Sequence, residues 1–304
     1  MEITYIQGFP DYSLPDFNMD QYIKSYLTST VIVNAESKEN YYPFHKTTLT
    51  IKSVFKGEEY YNTRNCRYRV KENNFLILNA LQEYESRIIS EGEVNSFSIF
   101  FSPDFVRELY NVMSLPDNKL LELQVNNINN FEFIEQLYSK SKVIDGLLTN
   151  IKNSLHQTKY NNNYLSDQLF LLLENLILMQ SDLSSEINRI SSAKRSTKIE
   201  LYKRLMAVKD YIESCYNEKL TLAELSKTAC MNEHYMLRQF KRYFKMTPYQ
   251  YLTRVRLNRS ETLLLNHNLS VLEISESVGF EYLSSFSQLF RKKHGISPSR
   301  FRKI

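Results

Sequence analysis

Two stretches in the last hundred residues carry polar and basic side chains at helical spacing, with aromatic side chains between them. In the first, Met236 and Phe240 are four residues apart, which predicts an inward stripe on a helix. Its outward residues are Glu233, His234, Leu237, Arg238 and Lys241. In the second, Phe286 and Phe290 are the inward pair, and the outward residues are Tyr282, Ser284, Ser285, Gln288, Arg291 and Lys292. These side chains can hydrogen-bond base edges and phosphates, which makes both faces candidate contacts for double-stranded DNA.

A short helix precedes each stretch. Thr221 is the expected N-cap of the first, and its apolar positions are Leu222, Leu225 and Ala229. Ser270 is the expected N-cap of the second, and Gly279 suits the left-handed position in the turn that follows. The order of short helix, tight turn and longer helix predicts two helix-turn-helix units. The alternative is two ordinary amphipathic helix pairs in an all-helical protein.

The charge distribution favours the DNA interpretation. Residues 199–304 contain 18 Lys and Arg against 10 Asp and Glu, whereas residues 1–198 contain 20 against 24. A basic segment attached to an acidic remainder is typical of a DNA-binding domain joined to a second domain. A helix predicted from Pro248 joins the two units, and three of its residues are candidate phosphate contacts or solvated surface: Arg254, Arg256 and Arg259.

These residues resemble the AraC/XylS family of bacterial transcription regulators. The similar segments are residues 231–241, 246–252, 278–280, 286–292 and 295–302, and the resemblance covers about residues 200–304. It implies a sequence-specific DNA-binding regulator of transcription, and it leaves activation or repression open. There are departures from the family pattern. Ser226 and Ser275 replace the usual Ala, and Cys230 and Lys245 replace turn glycines. Gln288 stands where Arg is common, which indicates either an adenine contact in place of guanine or a weaker second half-site.

The amino-terminal half predicts several short strands at intervals of about ten residues, which is typical of a sandwich or barrel. The resemblance implies a cupin-like β-barrel that binds an effector, followed by helices. The fold class is therefore α+β with two domains, the second all-α. Tentative effector-binding residues are aromatic or able to fix a polar group, with ordinary core packing as the alternative: Phe44, His45, Tyr60, Arg69, Tyr84 and Phe97.

One further helical pattern has heptad spacing. Its apolar residues are Leu165, Leu169, Leu172, Leu176, Met179 and Leu183. This spacing predicts either the seam of a homodimer or a helix packed on its own domain. The serine-rich and charged residues after it predict a linker. The expected organisation is an effector-sensing or dimerisation domain over 1–183, a linker over 184–198, and a DNA-binding domain over 199–304.

The sequence offers little for catalysis. Of its five histidines only His45 lies in the strand region, so a metal centre is not expected, and a metal-dependent cupin enzyme fused to a DNA anchor is the rival hypothesis. A regulator without a ligand is the other alternative. We expect no cofactor. The expected partners are DNA, a small-molecule effector, a second copy of the chain and RNA polymerase. No signal peptide or membrane span is predicted, so the expected location is the cytoplasm.

Overall fold

A computed structural model describes residues 2–10, 19–114, 132–155, 161–188, 190, 194–265 and 269–302. By contacts the chain divides into two compact units. One comprises Met1–Arg64 and Tyr68–Ser191, and the other comprises Asn65–Arg67 and Ser192–Ile304. Of the predicted linker, residues 189 and 191–193 lie outside the described residues, and helices occupy both of its ends.

The amino-terminal unit is built on one eight-stranded sheet. Its elements are β1 (Ile3–Gln7), α1 (Met19–Thr28), β2 (Thr30–Lys46), β3 (Thr50–Lys56), β4 (Glu58–Thr63), β5 (Arg67–Lys71), β6 (Asn74–Leu78), β7 (Glu83–Phe100) and β8 (Leu137–Ser139). The strand order is β1-β2-β7-β3-β6-β8, with β4 paired to β5 and β7. The long strand β7 therefore contacts β2 along its length, β3 near its end and β4 near its start.

The two faces of this sheet have different surroundings because side chains alternate along each strand. Ile32, Ile51, Phe97 and Ile99 lie in the main core with the helices that follow the sheet. Those helices are α2 (Pro103–Ser114), α3 (Lys142–Leu155) and α4 (Asn162–Asn188). The opposite face includes Val31, Val33, Ala35 and Phe100, which form a second cluster with Tyr26 of α1.

The structure corrects the dimer-seam hypothesis for α4. Leu165, Leu169, Leu172 and Leu176 are fully buried in the main core, and the partly buried Met179 and Leu183 pack against the same core. Side chains that already fill the interior of their own domain are not available to a second copy. The heptad spacing therefore reflects internal packing, which was the alternative interpretation.

The carboxy-terminal unit is helical. It contains α5 (Arg195–Ser214), α6 (Leu222–Thr228), α7 (Glu233–Phe244), α8 (Pro248–Leu265), α9 (Val271–Ser277), α10 (Leu283–His294) and α11 (Pro298–Phe301). The predicted fold class, a β-rich amino-terminal domain with helices and an all-α carboxy-terminal domain, is confirmed. None of the described helices is long and apolar enough to cross a membrane. Among the described residues, no group of three or more His, Cys, Asp or Glu is arranged to hold a metal ion.

Candidate nucleic-acid interface

Capping boxes start the first helix of each helix-turn-helix unit. The Thr221 hydroxyl accepts a hydrogen bond from the backbone N–H of Glu224 at 3.2 Å, and the Glu224 carboxylate accepts one from the backbone N–H of Thr221 at 2.8 Å. Ser270 and Glu273 repeat this arrangement at 3.1 and 2.6 Å. Each box satisfies two N–H groups that a helix start leaves unpaired, which fixes where α6 and α9 begin.

The second helix of the first unit, α7, separates its faces as predicted. Asn232 caps it by accepting a hydrogen bond from the backbone N–H of His234. Met236 and Phe240 are fully buried, and Phe240 packs edge-on against Tyr251 of α8. The predicted contact residues Glu233, His234, Arg238 and Lys241 are exposed, and Leu237 is half-buried. This leaves a polar and basic surface on the side away from the core.

The second helix of the second unit, α10, repeats the separation. Phe286 and Phe290 are fully buried, with ring centroids 5.6 Å apart. Phe290 also packs against Phe301 of α11. All six predicted contact residues on this helix are exposed: Tyr282, Ser284, Ser285, Gln288, Arg291 and Lys292.

The ends of both helices are basic. Lys241 and Arg242 lie in the last turn of α7, and α10 ends with Arg291, Lys292 and Lys293. Cations at a helix C-terminus are stabilised by the helix dipole, so this charge costs the fold little. Exposed residues on α7 that the sequence interpretation left out are Arg242 and Tyr235, whose ring lies 5.5 Å from the Arg238 guanidinium carbon. Their exposure could have been inferred from their distance from Met236 and Phe240 on the helical wheel.

A partly buried group of polar side chains joins α5 to the connecting helix α8. The Tyr251 hydroxyl donates a hydrogen bond to Glu213 of α5. Lys209 of the same helix lies 3.0 Å from the buried Asp210 and 3.5 Å from Glu213. These carboxylates raise the pKa of Lys209 despite its burial. The carboxylate that accepts the Tyr251 hydrogen bond is also held by Lys209, so this hydrogen bond keeps α8 at a defined position beside α5.

Arg256 on α8 is a structural residue, and neither of the two predicted alternatives, a phosphate contact or solvated surface, describes it. Its Nε donates to the carbonyl oxygen of Tyr216 at 2.7 Å, and its Nη2 donates to that of Glu218 at 2.8 Å. Its guanidinium also lies over the ring of Phe280. Arg254 is exposed, so its guanidinium group stays available for a phosphate contact.

The turns within the units use left-handed backbone. Gly279 follows α9 at φ +92°, and Gly295 ends α10 at φ +76°. Cys230 and Lys245 take the corresponding conformation at φ +48° and +60° although they carry side chains. The turn geometry is therefore kept where the two glycines are replaced, at a cost of about 1 kcal/mol each.

The structure separates the six tentative effector residues. His45 and Tyr84 meet at a small cavity on the α1 side of the sheet, with ring centroids 4.4 Å apart. Phe97 lies on the opposite face, in the main core, and Phe44 is exposed. Tyr60 and Arg69 contact Glu58 rather than the cavity, through a hydroxyl hydrogen bond and an ion pair.

The same cavity contains two charged residues that the sequence interpretation missed, Lys52 and Glu59. An available signal was the register of β3. If Ile51 and Ser53 face the core, Lys52 faces the other side of the same central strand.

Comparison with known proteins supports the interpretation of the carboxy-terminal domain. A family described as "Helix-turn-helix domain" matches residues 225–304. The chain is 38% identical over 96 residues to the Msm operon regulatory protein of Streptococcus mutans. The aligned segment covers 32% of this chain and 34% of that protein. It is 34% identical over 134 residues to YisR, an uncharacterized HTH-type transcriptional regulator of Bacillus subtilis, covering 44% of this chain and 43% of that protein. The match thus spans less than half of either relative.

Among solved structures, the chain is similar to ToxT from Vibrio cholerae. The TM-score is 0.39 at 16% identity, over 90% of this chain and 96% of that one.

Proposed function

We propose that this chain, whose carboxy-terminal residues form a helix-turn-helix domain of the AraC/XylS type, is a sequence-specific DNA-binding regulator of transcription. The observation that carries the proposal is the pair of helix-turn-helix units connected by α8. Each unit has an aromatic side buried in the domain and a polar, basic side exposed on its second helix. A helix of this kind can enter a major groove without uncovering its core.

The spacing of the two units defines the expected DNA site. On α8, Tyr251 hydrogen-bonds to Glu213 of α5 and packs against Phe240 of α7. Arg256, also on α8, lies over Phe280 in the turn before α10. The two second helices are therefore held on one domain rather than on a flexible tether. The site is then bipartite, with half-sites about one helical turn, or roughly 34 Å, apart. Bases read by α7 and by α10 lie on the same side of the duplex.

The test begins with selection of the preferred sequence from a random DNA pool by the full-length protein. Insertion of about five base pairs between the half-sites rotates one half to the far side of the duplex and abolishes high affinity. The same insertion placed outside the site is the control and leaves affinity unchanged. Equal affinity for both DNAs would contradict the two-helix model. Failure to select any sequence would contradict sequence-specific binding.

The amino-terminal domain is proposed to sense a small molecule, and its cavity beside the β2–β7 strand pair supports this. The alternative is a regulator without a ligand, whose activity follows its abundance. Measurement of DNA occupancy at fixed protein concentration, with and without a candidate ligand, separates the two. Partnership with RNA polymerase and assembly into a homodimer are further proposals, which co-purification and light scattering test.

A further inference from the structure

The cavity in the amino-terminal sheet is small and partly enclosed. The space open to the centres of water-sized spheres is about 40 Å³, and a single water needs about 10–15 Å³ on this measure. Its walls are mainly aromatic rings from the sheet and α1, among them Tyr26, Tyr61, Tyr84 and Phe100. The space accommodates a small polar group and the start of an apolar body.

Lys52 is the unusual residue in this cavity. It lies on β3 with 3% of its surface exposed, and its Nζ is 4.1 Å from the ring centroid of Phe100 and 4.7 Å from that of Tyr84. Among the described residues, no oxygen accepts a hydrogen bond from this ammonium group, and no carboxylate lies within 4 Å of it. Ring faces attract a cation but do not replace the hydrogen bonds that it loses when it leaves water.

Glu59 lies in the same cavity, but other groups occupy its carboxylate. The Ser96 hydroxyl donates to it at 2.6 Å, and the hydroxyls of Tyr61 and Ser86 also hydrogen-bond to it. Glu59 therefore moderates the field at Lys52 without serving as its hydrogen-bond acceptor. Three donors on one carboxylate leave little capacity for a ligand there.

A second donor stands beside Lys52. In the β3–β7 register Lys52 is directly opposite Ser98, and both residues line the cavity. The Ser98 hydroxyl has no hydrogen-bond partner among the described residues. His45 also reaches the cavity, and its Nδ1 lies 2.8 Å from the carbonyl oxygen of Pro43, which leaves Nε2 open. An ammonium, a hydroxyl and an imidazole nitrogen thus line one small space.

We propose that this cavity binds a small monocarboxylate with an apolar body, whose carboxylate accepts hydrogen bonds from Lys52 and Ser98. The aromatic walls favour an apolar body on the ligand. Among the described residues that line the cavity, Lys52 is the one cation and Glu59 carries a carboxylate beside it, so a ligand with one negative charge is favoured over a dianion. The proposal rests on the proposed function only in that such a ligand would be the effector. Binding itself does not depend on DNA.

The charge state of Lys52 gives this site a pH signature. Burial lowers the pKa of Lys52 to about 7, against the opposing attraction of Glu59. The titratable groups that line the cavity around it are Tyr26 from α1, Tyr42 and His45 from β2, Glu59 and Tyr61 from β4, and Tyr84 from β7. A bound carboxylate favours the protonated amine, so carboxylate affinity falls as the pH rises above about 7.

The experiment measures binding to the full-length protein without DNA, by calorimetry and thermal shift. The probes are phenylacetate, butyrate and hexanoate, each compared with its uncharged amide. At least one carboxylate is expected to bind with an affinity about tenfold or more above that of its amide. Absence of binding by all three carboxylates at about 10 mM, or equal binding of acid and amide, would overturn the proposal.

Two variants assign the contact. Lys52→Met is expected to abolish the preference for carboxylate over amide, whereas Lys56→Met, on the exposed end of the same strand, retains it. If Lys52→Met does not fold, Ser98→Ala and the pH profile carry the test. Ser98→Ala is expected to weaken carboxylate binding several-fold, and unchanged binding with no dependence on pH near 7 would contradict the assignment.

A cooperative unfolding transition of the amino-terminal unit in Lys52→Met shows that the variant is folded, because DNA binding reports only on the other unit. If the parent protein binds its selected DNA but none of the carboxylates, this inference fails and the proposed DNA-binding function stands. If it selects no DNA sequence but binds a carboxylate, the proposed function fails and the inference stands.

Discussion

Arg256 lies against Phe280, a residue in the turn of the second helix-turn-helix unit, with its guanidinium carbon 5.7 Å from the ring centroid. The same guanidinium donates to the carbonyl oxygens of Tyr216 and Glu218, which follow α5. One side chain on α8 therefore joins the connecting helix, the end of α5 and the second unit. This contact fixes the turn between α9 and α10 relative to the rest of the domain.

Replacement of Arg256 by Ala removes both carbonyl hydrogen bonds and the ring contact. We expect a loss of about 2 kcal/mol in the free energy of unfolding, because hydrogen bonds from a charged donor contribute about 1.5–3 kcal/mol and this group is half-exposed. Urea unfolding of the full-length protein, followed by circular dichroism, measures the loss. Arg254→Ala is the matched control, since Arg254 is exposed on the same helix. Equal stability of the two variants would contradict the bracing role of Arg256.

The sequence made the DNA-binding domain largely predictable for local reasons. Thr221 and Ser270 cap helix starts with their own side chains, so the sequence alone indicates where α6 and α9 begin. The inward pairs Met236–Phe240 and Phe286–Phe290 are each one helical turn apart and define the buried face of their helix. The structural role of Arg256 was outside both predicted alternatives, because its partners are carbonyl groups about forty residues away. No local pattern distinguishes an arginine that reaches a distant carbonyl from one that reaches a phosphate.

The cavity was harder to predict because it depends on which strands become neighbours. His45, Lys52 and Tyr84 come together only through the pairing of β2, β3 and β7. For the same reason the sequence left Phe97 open between a pocket residue and a core residue, and the structure places it in the core. Its aromatic character suits a pocket, but its position in the register directs it to the helix-covered face. The heptad pattern of α4 was ambiguous because a helix buried in its own domain and a helix in a dimer share the same apolar spacing.

Gly279 combines a left-handed backbone with a close approach. At φ +92°, an added Cβ would lie 2.9 Å from the carbonyl oxygen of Asn217 and 3.0 Å from Nη2 of Arg256. We expect Gly279→Ala to destabilise the fold by about 2–3 kcal/mol, through backbone strain and the displaced contact. Gly295→Ala is the control, since its φ is +76° but no atom lies within 4 Å of the added Cβ. Gly295→Ala is expected to lower the free energy of unfolding by about 1 kcal/mol, through backbone strain alone. Chemical denaturation compares the two, and equal losses would show that the close approach is relieved without cost.

The capping box of α9 predicts a pH dependence. The backbone N–H and hydroxyl of Ser270 hold the pKa of Glu273 below its ordinary value of 4.5. A carboxyl whose pKa is lowered by folding stabilises the folded state above the pKa of the unfolded chain, and this contribution disappears as the pH falls through the folded-state pKa. Glu273→Gln is therefore expected to be less stable than the parent at pH 7, with the difference shrinking below about pH 4.5.

Thermal unfolding across this pH range provides the measurement for Glu273. Glu276→Gln serves as the control, because Glu276 is exposed on the same helix outside the capping box. A stability difference that stays constant down to pH 3, or that also appears in Glu276→Gln, would rule out the capping carboxylate as its source.

Arg238 and Lys241 both lie on the exposed face of α7, but we expect them to contact different parts of the DNA. Arg238 is one turn after His234, in the middle of the helix, and its planar guanidinium can take both acceptors of a guanine. Lys241 lies in the last turn of α7. We expect the helix to leave the groove there, so that Lys241 contacts the phosphate backbone. Arg238→Ala should therefore cost about 1–3 kcal/mol on the preferred sequence and relax the preference at one base position.

Lys241→Ala should instead weaken binding to all sequences alike and lower the salt dependence by about one ion, because a phosphate contact carries no sequence information. The measurement is a salt titration of each variant on the selected site and on a scrambled duplex of the same composition.

The ring of Tyr235 lies 5.5 Å from the Arg238 guanidinium carbon and can hold that side chain along the helix, toward the DNA backbone instead of the bases. If Arg238→Ala loses equal affinity for both duplexes, Arg238 contacts only the backbone, and base recognition by α7 must come from His234 or Glu233 at the start of the helix.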